Sequence, residues 1–238
     1  MQNEQIIPLK IHQIWIGDQP APQRWLQTWK SKNPSWEYIF WDNEKVFGRK
    51  WKNQEMIDFY LGNTNEEDFT IANGYVYSGR RAKYFQWHII SDIITYEILL
   101  EEGGYLPGAD SECVKSIDDK FGKEGIYIVN TGHLYAYKYE AEKDPVKKKR
   151  YQPENASPIT ASIKGHWFLE KCVEELPKRN RGEAVDTTGN VFMGDMIRQY
   201  GTPEDARVVQ YKPRNRREVQ SYSIHHSGTM TGSYNTGI

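Results

Sequence analysis

The chain predicts an α/β fold, a mainly parallel sheet flanked by helices, on three observations. A strand, a helix and a second strand follow one another within residues 6–42. A long amphipathic helix over 80–102 stops at Gly103-Gly104 and runs into extended chain. The composition, 38% apolar with 19 glycines and 26% charged, is globular and excludes disorder, collagen and coiled coil as whole-chain descriptions. At about 150 residues per domain, 238 residues read as one compact domain, 1–238, with loop insertions and a flexible C-terminal lid. No internal repeat or clean linker interrupts it.

The elements follow in order. IIPLKIHQIWI (6–16) is β-branched and aromatic up to Gly17, with Pro20 and Pro22 beyond, a first strand and its exit loop. Trp25, Leu26 and Trp29 form an apolar helical face that stops before Asn33-Pro34. YIFWD (38–42) is a second strand ending in a carboxylate. Residues 45–79 are polar and mixed, with a helix near 53–61. Ala82, Phe85, Ile89, Ile93, Tyr96 and Leu100 then step by threes and fours through the long helix. YLPGADSECV must leave its end into the sheet. Residues 138–154 read as an exposed loop whose KKKR run is a solvated surface, or a contact for phosphate or an acceptor polymer. ASPITASI is strand-like, and helices follow around HWFLEKCVEEL and within TTGNVFMGDMIRQYG. The tail is rich in Gly, Ser and Thr around His225-His226.

Charge narrows the partners. Lys plus Arg number 31 against 32 Asp plus Glu, net −1, so no overall field gathers nucleic acid or an anionic membrane. Cys113 and Cys172 are too few for a disulfide framework and lack zinc-ribbon spacing. MQNEQIIPLK has no basic n-region followed by an apolar stretch, and no segment approaches a membrane span; a cytoplasmic protein is the expectation. Eight Trp, 16 Tyr and 8 Phe against a mean hydropathy of −0.79 suit a carbohydrate or nucleotide cleft, although rings also build cores.

Asp110 and Glu112 sit at i and i+2 after the Gly-Gly stop. In extended chain that spacing points both carboxylates to one side, where they can grip Mg²⁺ or Mn²⁺ with phosphates completing the shell; such pairs are also common surface features. His225-His226 offers imidazole to Mn²⁺, or is solvated. No G-x-S-x-G elbow, Walker A or G-x-G-x-x-G occurs. Cys113 has no activating neighbour in sequence and reads as a buried structural thiol. Asn130 and Thr131, after the strand-like GIYIV, are exposed-loop candidates for the acceptor side.

Taken together, LKIHQIWIG (9–17), W-x-x-x-NPSWEYIFWD (29–42), SDIITYEILLEEGGYLPGAD (91–110) and the His-His tail resemble the DxD-containing sugar transferases of glycosyltransferase family 32. That family includes capsular polysaccharide synthesis proteins and Och-type mannosyltransferases and is distantly similar to the glucosylating domain of clostridial toxins. The resemblance runs over nearly the whole chain. It implies a GT-A fold, a Rossmann-like sheet binding a nucleotide sugar at the carboxyl ends of its strands, and a metal-dependent, retaining transferase using a UDP- or GDP-sugar, a glycan acceptor and Mn²⁺ (or Mg²⁺) in polysaccharide biosynthesis. It further implies donor contacts from Ile14, Trp15, Ile16, Gly104 and Tyr105, and Asp92 holding the sugar hydroxyls. Asp110 would be the metal-binding second Asp of DxD, with Glu112 and His226 beside it, and Ser233 and Tyr234 would close over the diphosphate. Asn155 and His166 are acceptor-side positions only as this resemblance implies, with a surface role at least as open.

Two positions depart from the family pattern. Thr95 stands where S-D-x-x-R-Y has Arg, and Gly108 where G-G-x-Y-L-D-x-D has its first Asp. A two-residue shift, making Asp110-Ser111-Glu112 the equivalent motif, is one consequence to expect; altered donor choice or lost catalysis is the other. A catalytically degenerate nucleotide-sugar or glycan binder and a protein-glycosylating effector therefore stand as alternatives, with a phosphoryl-transfer enzyme behind them for want of a phosphate-binding glycine loop.

Overall fold

The computed structural model describes residues 6–62, 68–70, 76–78, 80–121, 124–179, 187–210 and 222–226. In chain order it contains β1 (Lys10–Ile14), α1 (Gln23–Lys32), β2 (Glu37–Trp41), α2 (Asn43–Phe47), α3 (Gln54–Gly62), β3 (Asp68–Thr70), β4 (Val76–Ser78), α4 (Arg80–Glu102), β5 (Gly104–Tyr105), β6 (Ser111–Cys113) and β7 (Ile126–Asn130). There follow α5 (Ala136–Ala141), α6 (Pro145–Lys148), β8 (Ala161–Ser162), α7 (Trp167–Glu175), α8 (Asn190–Tyr200), β9 (Ala206–Gln210) and β10 (Ser223–His225).

The central sheet runs β2-β1-β5-β8-β7-β9. The β1–β2, β1–β5 and β7–β9 pairs are parallel, while β8 is antiparallel to both its neighbours. Five strands therefore point one way and their carboxyl ends share one edge, where an open α/β sheet places its ligand. Period-two alternation divides the core between the faces. Ile126 and Ile128 pack with α4, α7 and α8, whereas Tyr127 joins Ile11, Trp29 and Tyr105 on the α1 side. Trp29 is fully buried, and its truncation to alanine costs about 3–5 kcal/mol.

The long helix has the expected bounds. Ile89, Ile90, Ile93, Ile94 and Ile98 are all fully buried, so packing outweighs the weak helix propensity of β-branched residues. At its end the Gly103 amide donates to the Leu99 carbonyl (3.0 Å), and Gly103 and Gly104 take φ of +67° and +102°. A Cβ on Gly104 would stand 2.7 Å from the Lys10 carbonyl oxygen, which is why β5 can approach β1 so closely.

Three expectations need correction. Residues 138–154 are not one open loop: α5, α6 and a 3₁₀ turn over Lys149–Tyr151 fold them into short helical pieces, closed by Asn155 Nδ2 donating to the Lys149 carbonyl (3.1 Å). ASPITASI contributes only the two residues of β8 and a bridge from Ala156 to Asn130, because Pro158 breaks the ladder. YLPGADSECV enters the central sheet only through β5; β6 leaves it and pairs with β10.

Candidate functional site

The carboxyl edge of the sheet and the N-terminal half of α4 frame the site. At the exit of β1, the Trp15 amide donates to the Trp41 carbonyl (2.9 Å) and the Trp15 indole to the Gln19 carbonyl (2.8 Å). Ile14 is buried and Ile16 packs beside it. Asn43 then clasps Gly17: the Gly17 amide donates to Asn43 Oδ1 (2.9 Å), and Asn43 Nδ2 donates back to the Gly17 carbonyl (2.8 Å). Gly17 has φ +107°, and a Cβ there would meet the Trp87 ring at 3.2 Å. The exit loop is thus pressed onto α4 by a contact that only glycine allows.

Asp92 and the turn before α8 form a second part. Thr188 Oγ1 donates to Asp92 Oδ2 (2.8 Å), and Asn190 Nδ2 donates to Thr131 Oγ1 (3.2 Å) at the end of β7. Burial pushes the Asp92 carboxyl up to about 7, against the lowering effect of the Thr188 hydroxyl. A buried carboxyl poised near neutrality beside the turn before α8 marks a candidate site. Thr95, one turn on, is 7% exposed and donates its hydroxyl back to the Ser91 carbonyl (2.9 Å); its short side chain is spent within the helix.

The third part brings the acidic pair and the tail together. β10 lies antiparallel on β6, with His225 opposite Ser111 and Ile224 opposite Glu112. His225 Nε2 is 3.1 Å from Asp110 Oδ1, and His226 Nε2 is 3.1 Å from Glu112 Oε2. The His226 amide donates to the Asp110 carbonyl (2.9 Å), and its ring stacks on Trp25, centroids 4.3 Å apart. Trp29 Nε1 donates to the Ser111 carbonyl (2.9 Å) and Thr28 Oγ1 accepts from the Cys113 amide (2.8 Å), so α1 carries the strand that presents both carboxylates. His88 reaches the same place from α4: burial lowers its pKa while the charge of Asp110 raises it. At Gly108 a Cβ would stand 3.1 Å from Asp110 Oδ1, so the missing side chain leaves room for the Asp110 carboxylate.

Among the described residues, no three His, Cys, Asp or Glu side chains converge to hold a metal ion. Asp110 and Glu112 nevertheless fit a hard cation of the kind bound by one or two carboxylates and completed by phosphates and water.

The remaining expected positions fall as follows. Gly104 and Tyr105 lie beneath the site in the sheet, the Tyr105 ring packed between Trp29 and Phe121. Thr131 and Asn155 join the carboxyl edge, the Asn155 carbonyl accepting from the Thr131 and Gly132 amides (2.8 Å each). His166 caps α7, accepting from the Phe168 amide (3.1 Å) and facing Asp205 (3.2 Å), which makes it structural. Cys113 and Cys172 are buried free thiols, as expected for Cys113. Ser233 and Tyr234 lie outside the described residues. Asn43, His88, Thr188 and Asn190 were not singled out by sequence; only the TTGN turn before an apolar helical run carried a capping signal for the last two.

No protein-family model matches the chain, and no curated protein matches it in sequence. Solved structures do match. One, the PaToxG glycosyltransferase, is 16% identical, with 82% of this chain and 71% of that chain covered at a TM-score of 0.51. The fold defined by the six-stranded sheet and its helices is therefore of the glycosyltransferase GT-A-like class. No helix among the described residues is long and apolar enough to cross a membrane.

Proposed function

We propose that the chain is a metal-dependent, retaining glycosyltransferase of the family 32 kind, moving a sugar from a UDP- or GDP-linked donor to a glycan acceptor. The observation that carries this reading is the meeting of Asp110 and Glu112 with His225 and His226 at the carboxyl edge of a GT-A-like sheet. In this reading Ile14, Trp15 and Ile16 line the base and ribose, and Gly104 and Tyr105 fix the strand from which the acidic segment departs. Asp92 accepts hydrogen bonds from the sugar hydroxyls while Thr188 holds its other oxygen in place. Asp110 and Glu112 would hold Mn²⁺ (or Mg²⁺), with His226 beside Glu112, and the ion would supply Lewis-acid help to the departing diphosphate. The tail, with Ser233 and Tyr234, closes over the phosphates and excludes water. The acceptor hydroxyl attacks from the face the diphosphate leaves, so configuration is retained without a covalent nucleophile from the chain.

Incubation with panels of UDP- and GDP-sugars, reading nucleoside diphosphate release with Mn²⁺ and after chelation, tests the reading. Metal-dependent release from one donor, lost in Asp110→Ala, supports it; release unaffected by chelation or by the substitution contradicts it. A second reading, a non-catalytic binder of nucleotide sugars, is favoured by Gly108 and by Thr95, whose hydroxyl is turned back on its own helix. Nucleotide binding with no sugar release from any donor would select it.

A further inference from the structure

His133 stands at the carboxyl edge of the sheet, in the 3₁₀ turn Gly132–Tyr135 that follows β7. Its Nδ1 lies 3.3 Å from Asn130 Oδ1. The direction of that hydrogen bond is fixed from the far end of the amide. Asn130 Nδ2 donates to the Pro153 carbonyl (2.8 Å), so the amide turns its oxygen to the imidazole. An amide oxygen only accepts, and Nδ1 therefore carries the proton. The neutral ring keeps its lone pair on Nε2, which has no hydrogen-bond or ion-pair partner among the described residues. The residue itself is only half-buried.

A second observation lies on the next turn. The 3₁₀ turn runs directly into α5, which places Tyr137 beside His133 at a spacing of four residues. Tyr137 is 69% exposed, the most exposed large hydrophobic side chain among the described residues. The Lys138 ammonium stands over the ring at 5.9 Å, and the high exposure leaves ring surface to solvent. The pair is tied to Asp92 through the neighbour of Asn130: Thr131 Oγ1 accepts from Asn190 Nδ2 (3.2 Å), just after the turn whose Thr188 hydroxyl donates to Asp92 (2.8 Å).

We propose that His133 and Tyr137 form a subsite for a neutral sugar, with Asn130 as the positioning residue. A sugar hydroxyl donates to His133 Nε2, and the apolar face of the sugar ring lies on Tyr137. That this sugar belongs to the acceptor rests on the transferase reading above. The ligand class follows from the chemistry. A nitrogen lone pair takes a hydroxyl, which donates, and refuses an ionised carboxylate, which only accepts. A phenol ring with an apolar body and a polar tip suits a surface that mixes C–H and O–H groups.

Long-range proton–nitrogen spectra of the histidine side chains, taken on the full chain at mildly alkaline pH, read the tautomer directly. The same spectra follow titration with the methyl α-glycosides of glucose, galactose and mannose. Expected are a proton on Nδ1 of His133 in the free chain and saturable shifts at His133 Nε2 and the Tyr137 ring with at least one glycoside. His133→Phe and Tyr137→Ala should each weaken that glycoside about fivefold, in line with one neutral hydrogen bond or one ring contact. Asn130→Ala leaves the imidazole in place, so it should move part of the proton to Nε2 and weaken the same glycoside. His133→Gln, whose amide oxygen can accept, should recover part of the binding lost in His133→Phe. A proton on Nε2 in the free wild-type chain, no shift with any of the glycosides, or wild-type affinity in both His133→Phe and Tyr137→Ala would overturn the proposal. Titration of UDP and GDP into the wild-type chain keeps the two readings apart. Glycoside binding without nucleotide binding upholds the subsite and removes its acceptor role; nucleotide binding with no glycoside at His133 overturns the subsite alone.

Discussion

His225 Nε2 stands 3.1 Å from Asp110 Oδ1, joining residues 115 positions apart through a three-residue antiparallel pairing of β10 with β6. The tail is therefore already docked on the acidic strand over residues 222–226. Tyr222 adds to that docking: its ring lies under the Lys115 ammonium at 4.2 Å, and the Val114 amide donates to its carbonyl (2.9 Å).

The His226 ring on Trp25 holds the outer end of this piece. Trp25→Ala removes a stacked pair worth about 1 kcal/mol. Amide exchange at 223–225 should speed up several-fold in this variant while exchange in β1 and β7 stays unchanged. Equal exchange in both chains would show that the stack does not hold the tail.

Asp92 gives a pH signature. Its carboxyl has an ordinary value of 3.8 and is pushed up to about 7 in the folded chain. Between these values the folded chain holds a proton that the unfolded chain does not, so stability from this group is greatest below about 4 and declines as pH rises to 7. Asp92→Asn should remove that slope and raise stability at pH 8 by about 1–2 kcal/mol, allowing for partial exposure of the group. It should also impair donor turnover, a stability gain at the expense of function. Denaturant titrations from pH 4 to 8 check the first part, and sugar release the second.

His12 works with the opposite sign. Fully buried, it accepts from Trp41 Nε1 at Nδ1 (3.1 Å) and faces the Gly103 carbonyl with Nε2 (3.0 Å), an arrangement that requires the neutral ring protonated on Nε2. Burial lowers its pKa to about 4 from the ordinary 6.5. Its contribution is fully present above about 6.5 and is lost as pH falls towards 4, by up to about 3 kcal/mol. His12→Gln, measured by thermal melts across that range, should be less stable at pH 7 and show a shallower acid limb.

At Gly104 any side chain meets the Lys10 carbonyl and must also adopt φ +102°. Gly104→Ala should cost roughly 2–4 kcal/mol, read as a lowered denaturation midpoint. Gly165→Ala, also at positive φ but in open space, should cost clearly less.

Local periodicity made the β1-α1-β2 opening and the long α4 legible in the sequence, since each carries its own pattern and its own stop signal. The pairing of the two-histidine tail with Asp110 and Glu112 was readable only through the order of motifs. Residues such as Thr188, 96 positions from Asp92, and His88 beside Asp110 left no local signal, because contacts of that range are set by how α4 crosses the sheet. The two-residue strand β8, reversed between β5 and β7, was hidden for a related reason: Ala161–Ser162 is too short for any alternation to show.

The most direct measurement is calorimetric titration of UDP and of GDP into the chain with Mn²⁺, with chelator and Asp110→Ala as controls. One nucleotide binding only with metal, and not binding the variant, is the predicted result. No binding of either nucleotide, or binding indifferent to metal and to Asp110, would contradict a donor site built on the acidic strand and the docked tail.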